Sequence, residues 1–342
     1  MILKDSLVFT TMRNEGPFIL EWVAWQKMLG FDNVLIMHND CTDRSPQLLR
    51  LLEKAGVIAT KRHHPKPRQP AQPSAYAAAR SHPMVKQARW MFTCDVDEFL
   101  VITKGDGSLA ALLDDGDAPF AAIAINWLIY GSGGHALWED ALVHRRFLRS
   151  AKPHAPQNNC YKSIVKHPLD FGKFRSHSPK FWEGQGAWGE GENVLVLTDY
   201  QPYTAYHPTD NSLNSTPNDG IVHGAAHLNH YTLQAREQYE LKRGRPSASI
   251  GHDRYNDDFD HRFDRNEVEN PSALTYADRF DAEYAKLTAI PGAMRLHHLC
   301  CADFVAALCV AQGKDPAQDP RHQHHLKTAR ALPKPDPARQ SA

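Results

Sequence analysis

The most constraining feature of this chain is an apolar run, Trp90–Cys94, that ends abruptly in Asp95-Val96-Asp97-Glu98. An uninterrupted apolar run of this length fits a strand buried on both faces, and such strands belong to parallel sheets covered by helices. In an extended backbone, side chains two apart share a face, so Asp95 and Asp97 point the same way. Clustered carboxylates at a buried strand end need a cation or hydrogen-bond donors to compensate them. Mg²⁺ and Mn²⁺ typically take one or two carboxylates plus phosphate oxygens, so a divalent ion with a phosphorylated ligand suits this position. The bland reading is a solvated turn. A strand end in a β/α half favours the ligand reading, because open α/β sheets bind ligands there.

The preceding residues support that half. Ser6–Thr11 and Asn33–His38 read as strands around a helix with Pro17 in its first turn, an apolar stripe at Phe18, Trp22, Trp25 and Leu29, and Gly30 as its stop. A second helix is expected over Pro46–Ala55 with Ser45 as N-cap, followed by a strand at Val57–Thr60. A helical stretch near Ala75–Arg89 must be kinked or split by Pro83, and Phe120–Asn126 reads as another buried strand. Beyond Tyr130 the pattern shifts to Gly-rich loops and short strands at Ala141–Phe147, Tyr161–Lys166 and Asn193–Thr198. Helices are expected at Thr232–Arg243, Tyr276–Leu287 and Leu296–Gln312. The organisation is therefore α/β: a Rossmann-type half with a mostly parallel sheet (1–130), a smaller α+β portion (131–250), C-terminal helices (251–313), and a Pro- and His-rich tail (314–342) expected to be disordered.

Composition narrows the partners. Lys plus Arg and Asp plus Glu both total 39, so no net field draws in nucleic acid. The basic run Lys61–Arg68 has no interleaved aromatics to stack bases and reads as a solvated loop, its alternatives being contact with a diphosphate, an anionic acceptor or the inner membrane surface. The apolar stretch around Leu299–Val310 is broken by Asp303, and no transmembrane segment is expected. Six cysteines without framework spacing, and no secretory signal, place the chain in the cytoplasm. His297 with Cys301, and His227 with His230, lack the four-ligand spacing of structural zinc, and the first pair reads as part of a packed helix. Gly131–Gly134 has no following Lys-Ser/Thr and is not a P-loop.

Taken in order, Met12-Arg13-Asn14-Glu15-Gly16-Pro17, Asn39-Asp40-Cys41-Thr42-Asp43 and Asp95-Val96-Asp97-Glu98-Phe99-Leu100 resemble the family 2-like glycosyltransferases, especially the group close to family 92. Tyr130–His135 after Trp127, and His230-Tyr231 followed by Lys242-Arg243-Gly244, resemble further signatures of that group. The resemblance implies a GT-A fold that moves a sugar, with inversion, from a nucleotide diphosphate donor, by preference a UDP-sugar, to a glycan or lipid-linked acceptor in polysaccharide biosynthesis. It implies a Mn²⁺ or Mg²⁺ held by Asp95, Asp97 and His230. Arg13, Asn14, Glu15, Asp40 and Asp95 would line the nucleotide, and Lys242 and Arg243 the diphosphate. Asp140, in Trp138-Glu139-Asp140, would be the catalytic base, with Glu98, Asp210 and Asp219 as rivals. A sugar-nucleotide hydrolase, a nucleotidyltransferase and a non-catalytic glycan-binding protein are the alternatives on the same scaffold.

Overall fold

The computed structural model describes residues 5–66, 69–209, 213–244, 247–248 and 251–334. Its centre is a nine-stranded mixed, mostly parallel sheet: β1 (Ser6–Met12), β2 (Asn33–His38), β3 (Ala59–Arg62), β4 (Trp90–Thr93), β5 (Glu98–Ile102), β6 (Ala122–Ile129), β7 (Tyr161–Lys166), β8 (Leu195–Val196) and β9 (Ala226–His230). The spatial order is β3-β2-β1-β4-β7-β6-β9-β5, with β8 alongside β6. β1, β2, β3 and β4 are mutually parallel, β7 runs against β4 and β6, and β9 is parallel to β6 but antiparallel to β5. The expected α/β architecture is present, and the sheet continues well past residue 130.

Two buried clusters cover the sheet faces. The larger is built around α1 (Ile19–Leu29), whose Trp22 and Trp25 are fully enclosed. Trp25 stacks edge-on against Phe99 and Tyr276 and donates its indole N–H to Leu100 O at 3.0 Å. Trp22 donates to Asp95 O at 3.1 Å, so the core helix pins the acidic turn directly. The second cluster, on the other side, includes Phe9, Tyr76 and Tyr161. Truncating a buried Trp typically removes about 3–5 kcal/mol.

Several local expectations are corrected. α2 spans Ser45–Lys54, with Arg44 rather than Ser45 at the N-cap and no side-chain cap bond; the Asp43 carboxylate just before it accepts the Ser45 N–H at 3.0 Å. Pro83 does split the following stretch, into Ala71–Ala79 and Pro83–Gln87. The strand expected at Ala141–Phe147 is a short helix, Val143–Arg146. The buried Glu21 carboxylate accepts the Val143 and His144 N–H groups at 2.9 and 3.1 Å, and a carboxylate on exposed N–H groups stabilises a helix start. The helix expected over Thr232–Arg243 shrinks to Arg236–Glu240, and the strand over Asn193–Thr198 to Leu195–Val196. The C-terminal helices run Ala277–Thr288 and Ala293–Ala311. By length and composition the latter could cross a bilayer, yet His297, Cys300, Cys301, Val305 and Leu308 are buried against the rest of the protein. The expected disordered tail is in its described part a further helix, Pro320–Ala331, capped by Asp319 and tied to the body by Arg321, which grips Glu237 at 2.7 Å. Residues 67–68 of the basic run, 335–342 of the tail, and Asp210 lie outside the described residues.

Candidate functional site

β1, β2 and β4 are adjacent parallel strands, so the segments after them, 13–16, 39–43 and 94–97, meet at one edge of the sheet. β9 ends at the same place: His230 is in register with Glu98, and the Tyr231 N–H donates to Asp97 O at 2.9 Å. The expected residues are thus brought together by topology, from positions more than 200 apart in sequence.

The two aspartates have different surroundings. Asp95 accepts Lys162 Nζ at 2.6 Å on Oδ2 and Gln72 Nε2 at 2.7 Å on Oδ1, so both of its oxygens are occupied by this chain. Lys162 also reaches Glu98 at 3.1 Å, and Lys162 and Glu98 are completely enclosed. Glu98 accepts the Asp95 N–H at 2.8 Å and the Trp127 indole at 2.9 Å. Burial works against the charge on Lys162, but Asp95 and then Glu98 outweigh it and hold the amine well above its ordinary range. Burial pushes the Glu98 carboxyl up, whereas Lys162 overcomes burial at Asp95 and holds it down. Asp95 is therefore an anchor of the turn, its two oxygens engaged by Lys162 and Gln72.

Asp97, its side chain 19% exposed, has looser partners. Its Oδ1 lies 3.8 Å from His230 Nε2 and its Oδ2 3.4 Å from Lys242 Nζ, while Lys242 also donates to Thr232 O at 2.7 Å. Burial lowers the His230 imidazole to about 4, so it is neutral at physiological pH, the form that can ligate a metal. Its Nδ1 is buried without a partner, leaving Nε2 facing Asp97. Asp97 and His230 are the pair whose atoms fit a divalent cation, with phosphate oxygens and water to fill the remaining positions. Beside them, burial pushes the Glu15 carboxyl up to about 8; Lys242 opposes this, and Asp97, Asp43 and Asp95 add to it.

The first loops are held to one another. Asn14, in the left-handed region at φ 59°, accepts the Thr42 N–H at 2.8 Å and donates to Thr42 Oγ1 at 3.0 Å, so its amide braces the neighbouring loop. Asp40 is exposed and takes the Asn39 amide at 3.0 Å, and Arg13 is exposed. Gly16 is required by close approach: a Cβ there would lie 2.4 Å from Cys300 Cβ on the helix Ala293–Ala311.

Other expected residues lie elsewhere. Arg243 pairs with Asp257 and with Glu240 and packs over the Tyr239 ring, rather than joining Lys242 at Asp97. Asp140 accepts His297 Nε2 at 2.9 Å, with His298 and His325 close by. Burial works against its charge, yet the His297 hydrogen bond and these imidazoles hold it down at about 2, too acidic for a good general base. Glu98 is enclosed, and Asp219 is exposed on the turn Asn218–Gly220. Lys162, Gln72 and Trp127 were missed as site residues. The available signal was Lys162 itself, a lysine on the same strand face as the buried Ile164, which implies an enclosed carboxylate.

No protein-family profile matches this chain, and no curated protein matches it. Among solved structures, S. aureus TarS residues 1–349 is 12% identical, with 95% of this chain and 91% of that one covered at a TM-score of 0.35. The same fragment in complex with UDP-GlcNAc is 10% identical, with 95% and 91% covered and a TM-score of 0.32. In complex with UDP the values are 11%, 95%, 91% and 0.34. TM-scores this low do not establish a shared fold.

Proposed function

We propose that the chain is a nucleotide-sugar glycosyltransferase of GT-A type that transfers a sugar from a nucleotide diphosphate donor, by preference a UDP-sugar, to an acceptor hydroxyl with inversion. The observation that carries the reading is the meeting of Asp97, His230, Lys242 and Glu15 where three parallel strands end. This edge combines candidate metal ligands, a buried-side cation and a carboxyl held neutral, which together suit a diphosphate better than a neutral metabolite.

Asp97 and His230 would hold Mn²⁺ or Mg²⁺, which supplies Lewis-acid neutralisation of the charge that grows on the departing diphosphate. Lys242, already 3.4 Å from Asp97, adds a second positive charge on the same side. Glu15 in its neutral form donates a hydrogen bond to a phosphate or ribose oxygen, where an ionised carboxylate would repel it. Asp95, clamped by Lys162 and Gln72, fixes the turn that presents Asp97. Asn14 and Asp43 set the distance between the first two loops. The acceptor proton is not routed through Asp140. A glycan or lipid-linked acceptor on the cytoplasmic side of the membrane completes the proposal.

The test is a melting-temperature panel of UDP-, GDP- and CDP-sugars with and without Mn²⁺, followed by product analysis. A ligand that selects the folded state raises the melting point. The expected result is a Mn²⁺-dependent rise with a UDP-sugar that disappears in Asp97→Asn, and release of nucleoside diphosphate without pyrophosphate. Pyrophosphate release would instead indicate nucleotidyl transfer, transfer only to water a hydrolase, and glycan binding without turnover a lectin-like protein. No response to any nucleotide diphosphate would end the proposal.

A further inference from the structure

A second cluster of metal-ligating side chains lies away from the strand ends, where the last two helices pack together. His297 and His298 belong to the helix Ala293–Ala311, His325 to the helix Pro320–Ala331, and Asp140 to the loop that follows Trp138. His298 Nδ1 and His325 Nδ1 face each other at 3.0 Å. Asp140 Oδ2 lies 3.8 Å from the first and 4.0 Å from the second. Two ring nitrogens at that separation require a shared proton or a cation that accepts both lone pairs.

The separations admit a single ion. A triangle with sides 3.0, 3.8 and 4.0 Å has a circumradius of about 2.1 Å, so one point lies a normal zinc–nitrogen or zinc–oxygen bond from all three atoms. An ion at that point lies in the plane of the three atoms, so tetrahedral zinc needs the two longer sides to draw in toward about 3.4 Å, a small shift for the partly open Asp140 and His298 side chains. The carboxylate is also oriented for the task. His297 Nε2 bonds Asp140 Oδ1 at 2.9 Å and leaves Oδ2 turned toward the two Nδ1 atoms, the outer hydrogen bond that metal-ligating carboxylates usually carry. His297 and His325 are both 4% exposed, while Asp140 and His298 keep part of their side chains open, so a water can take the fourth position.

We propose that Asp140, His298 and His325 form a zinc site, oriented by His297, that fastens the last helix to the long C-terminal helix and to the loop after Trp138. Nothing in this site depends on the sugar-transfer reading. It joins two helices whose ligands are 27 residues apart to a loop more than 150 residues earlier, so zinc would stabilise the assembled C-terminal region. The role of Asp140 becomes that of a ligand, and the His297/Cys301 pair contributes its histidine from the outer shell.

The full-length protein, stripped with a chelator and dialysed, is titrated with Zn²⁺ against a chromophoric competitor, with Mg²⁺ in excess to occupy carboxylate sites. One equivalent is expected to bind, with a rise in melting temperature. His298→Ala and His325→Ala should each lose that equivalent, and His297→Gln should weaken it about 10–100-fold. Asp97→Asn should retain it, which separates this site from the strand-end site. Co²⁺ in the wild-type protein gives a readout that does not depend on a variant folding: four-coordinate Co²⁺ shows intense visible bands, which excess Zn²⁺ should abolish. Absence of a bound equivalent in the wild type, or its retention at unchanged affinity in His298→Ala, overturns the proposal and leaves a proton-bridged histidine pair.

Discussion

Replacing Lys162 with Met keeps the aliphatic stem and removes a cation that Asp95 and Glu98 share. The side chains of Lys162 and Glu98 are 0% exposed and Asp95 retains 33%, so water reaches only one member of the triad. Removing one partner of a buried ion pair typically destabilises by about 3–5 kcal/mol, because it strands the other charge. That is the loss expected at pH 7.5. The pH dependence gives the signature. In the wild type, Lys162 holds the Asp95 carboxyl below its usual range, so its contribution is present above the unfolded pKa and lost only in strong acid. Glu98 is already raised in the wild type, so its loss with rising pH is common to both proteins; in the variant Asp95 also rises above its unfolded value, and the folded state loses further ground as pH rises. The gap between wild type and variant should therefore widen between pH 5 and 7.5 by at least about 1 kcal/mol. Urea unfolding at the two pH values measures it. In a double-mutant cycle, Lys162→Met/Glu98→Gln should be less destabilised than the sum of the single variants. A loss under about 1 kcal/mol, or equal losses at both pH values, would refute the claim that this cation holds the acidic turn.

Glu15→Gln should raise stability relative to wild type as pH increases. Between 4.5 and about 8 the unfolded wild-type chain ionises this carboxyl while the folded one keeps it neutral, so wild-type stability falls through that window, by up to about 5 kcal/mol, and the variant escapes the fall. Parallel stability profiles from pH 5 to 8.5 would contradict it. Gly16→Ala should destabilise by about 1–3 kcal/mol, since the new Cβ meets Cys300 Cβ at 2.4 Å. Cys300 Sγ would stand at 2.6 Å from the new Cβ as well, so adding Cys300→Ala should restore only part of the melting temperature, and full rescue would show that the sulfur alone was responsible. Glu21→Ala should cost about 3 kcal/mol or more, because its enclosed carboxylate serves two backbone N–H groups and His144 Nδ1 at 2.6 Å. Amide exchange should quicken at Val143 and His144 first; unchanged protection there would count against the cap.

The readable parts of this protein are those whose cause is local. The β1-α1-β2-α2 order follows from apolar periodicity, Pro17 and Gly30, and the acidic strand end from the contrast between Trp90–Cys94 and the next four residues. The parts that escaped were made by pairs distant in sequence. Lys162 finds Asp95 across 67 positions, Glu21 caps Val143 across 122, and His297 takes Asp140 across 157. No periodicity announces such meetings. The final helix escaped for a different reason: its Pro, His and Gln content resembles a solvated tail, while its order comes from Asp319 at its start, Ala329 against the body, and Arg321 on Glu237. β5 and β9 were missed because each is a five-residue segment beside turn-like sequence, and their pairing with each other stabilises both.

The contact between Gly16 and Cys300 sets a timetable for synthesis. At roughly 5–20 residues per second, the ribosome needs about 15–60 s after completing the first loop to make the helix that buttresses it. Throughout that interval a nascent chain holds its Trp-rich first helix and opening loop without their eventual cover.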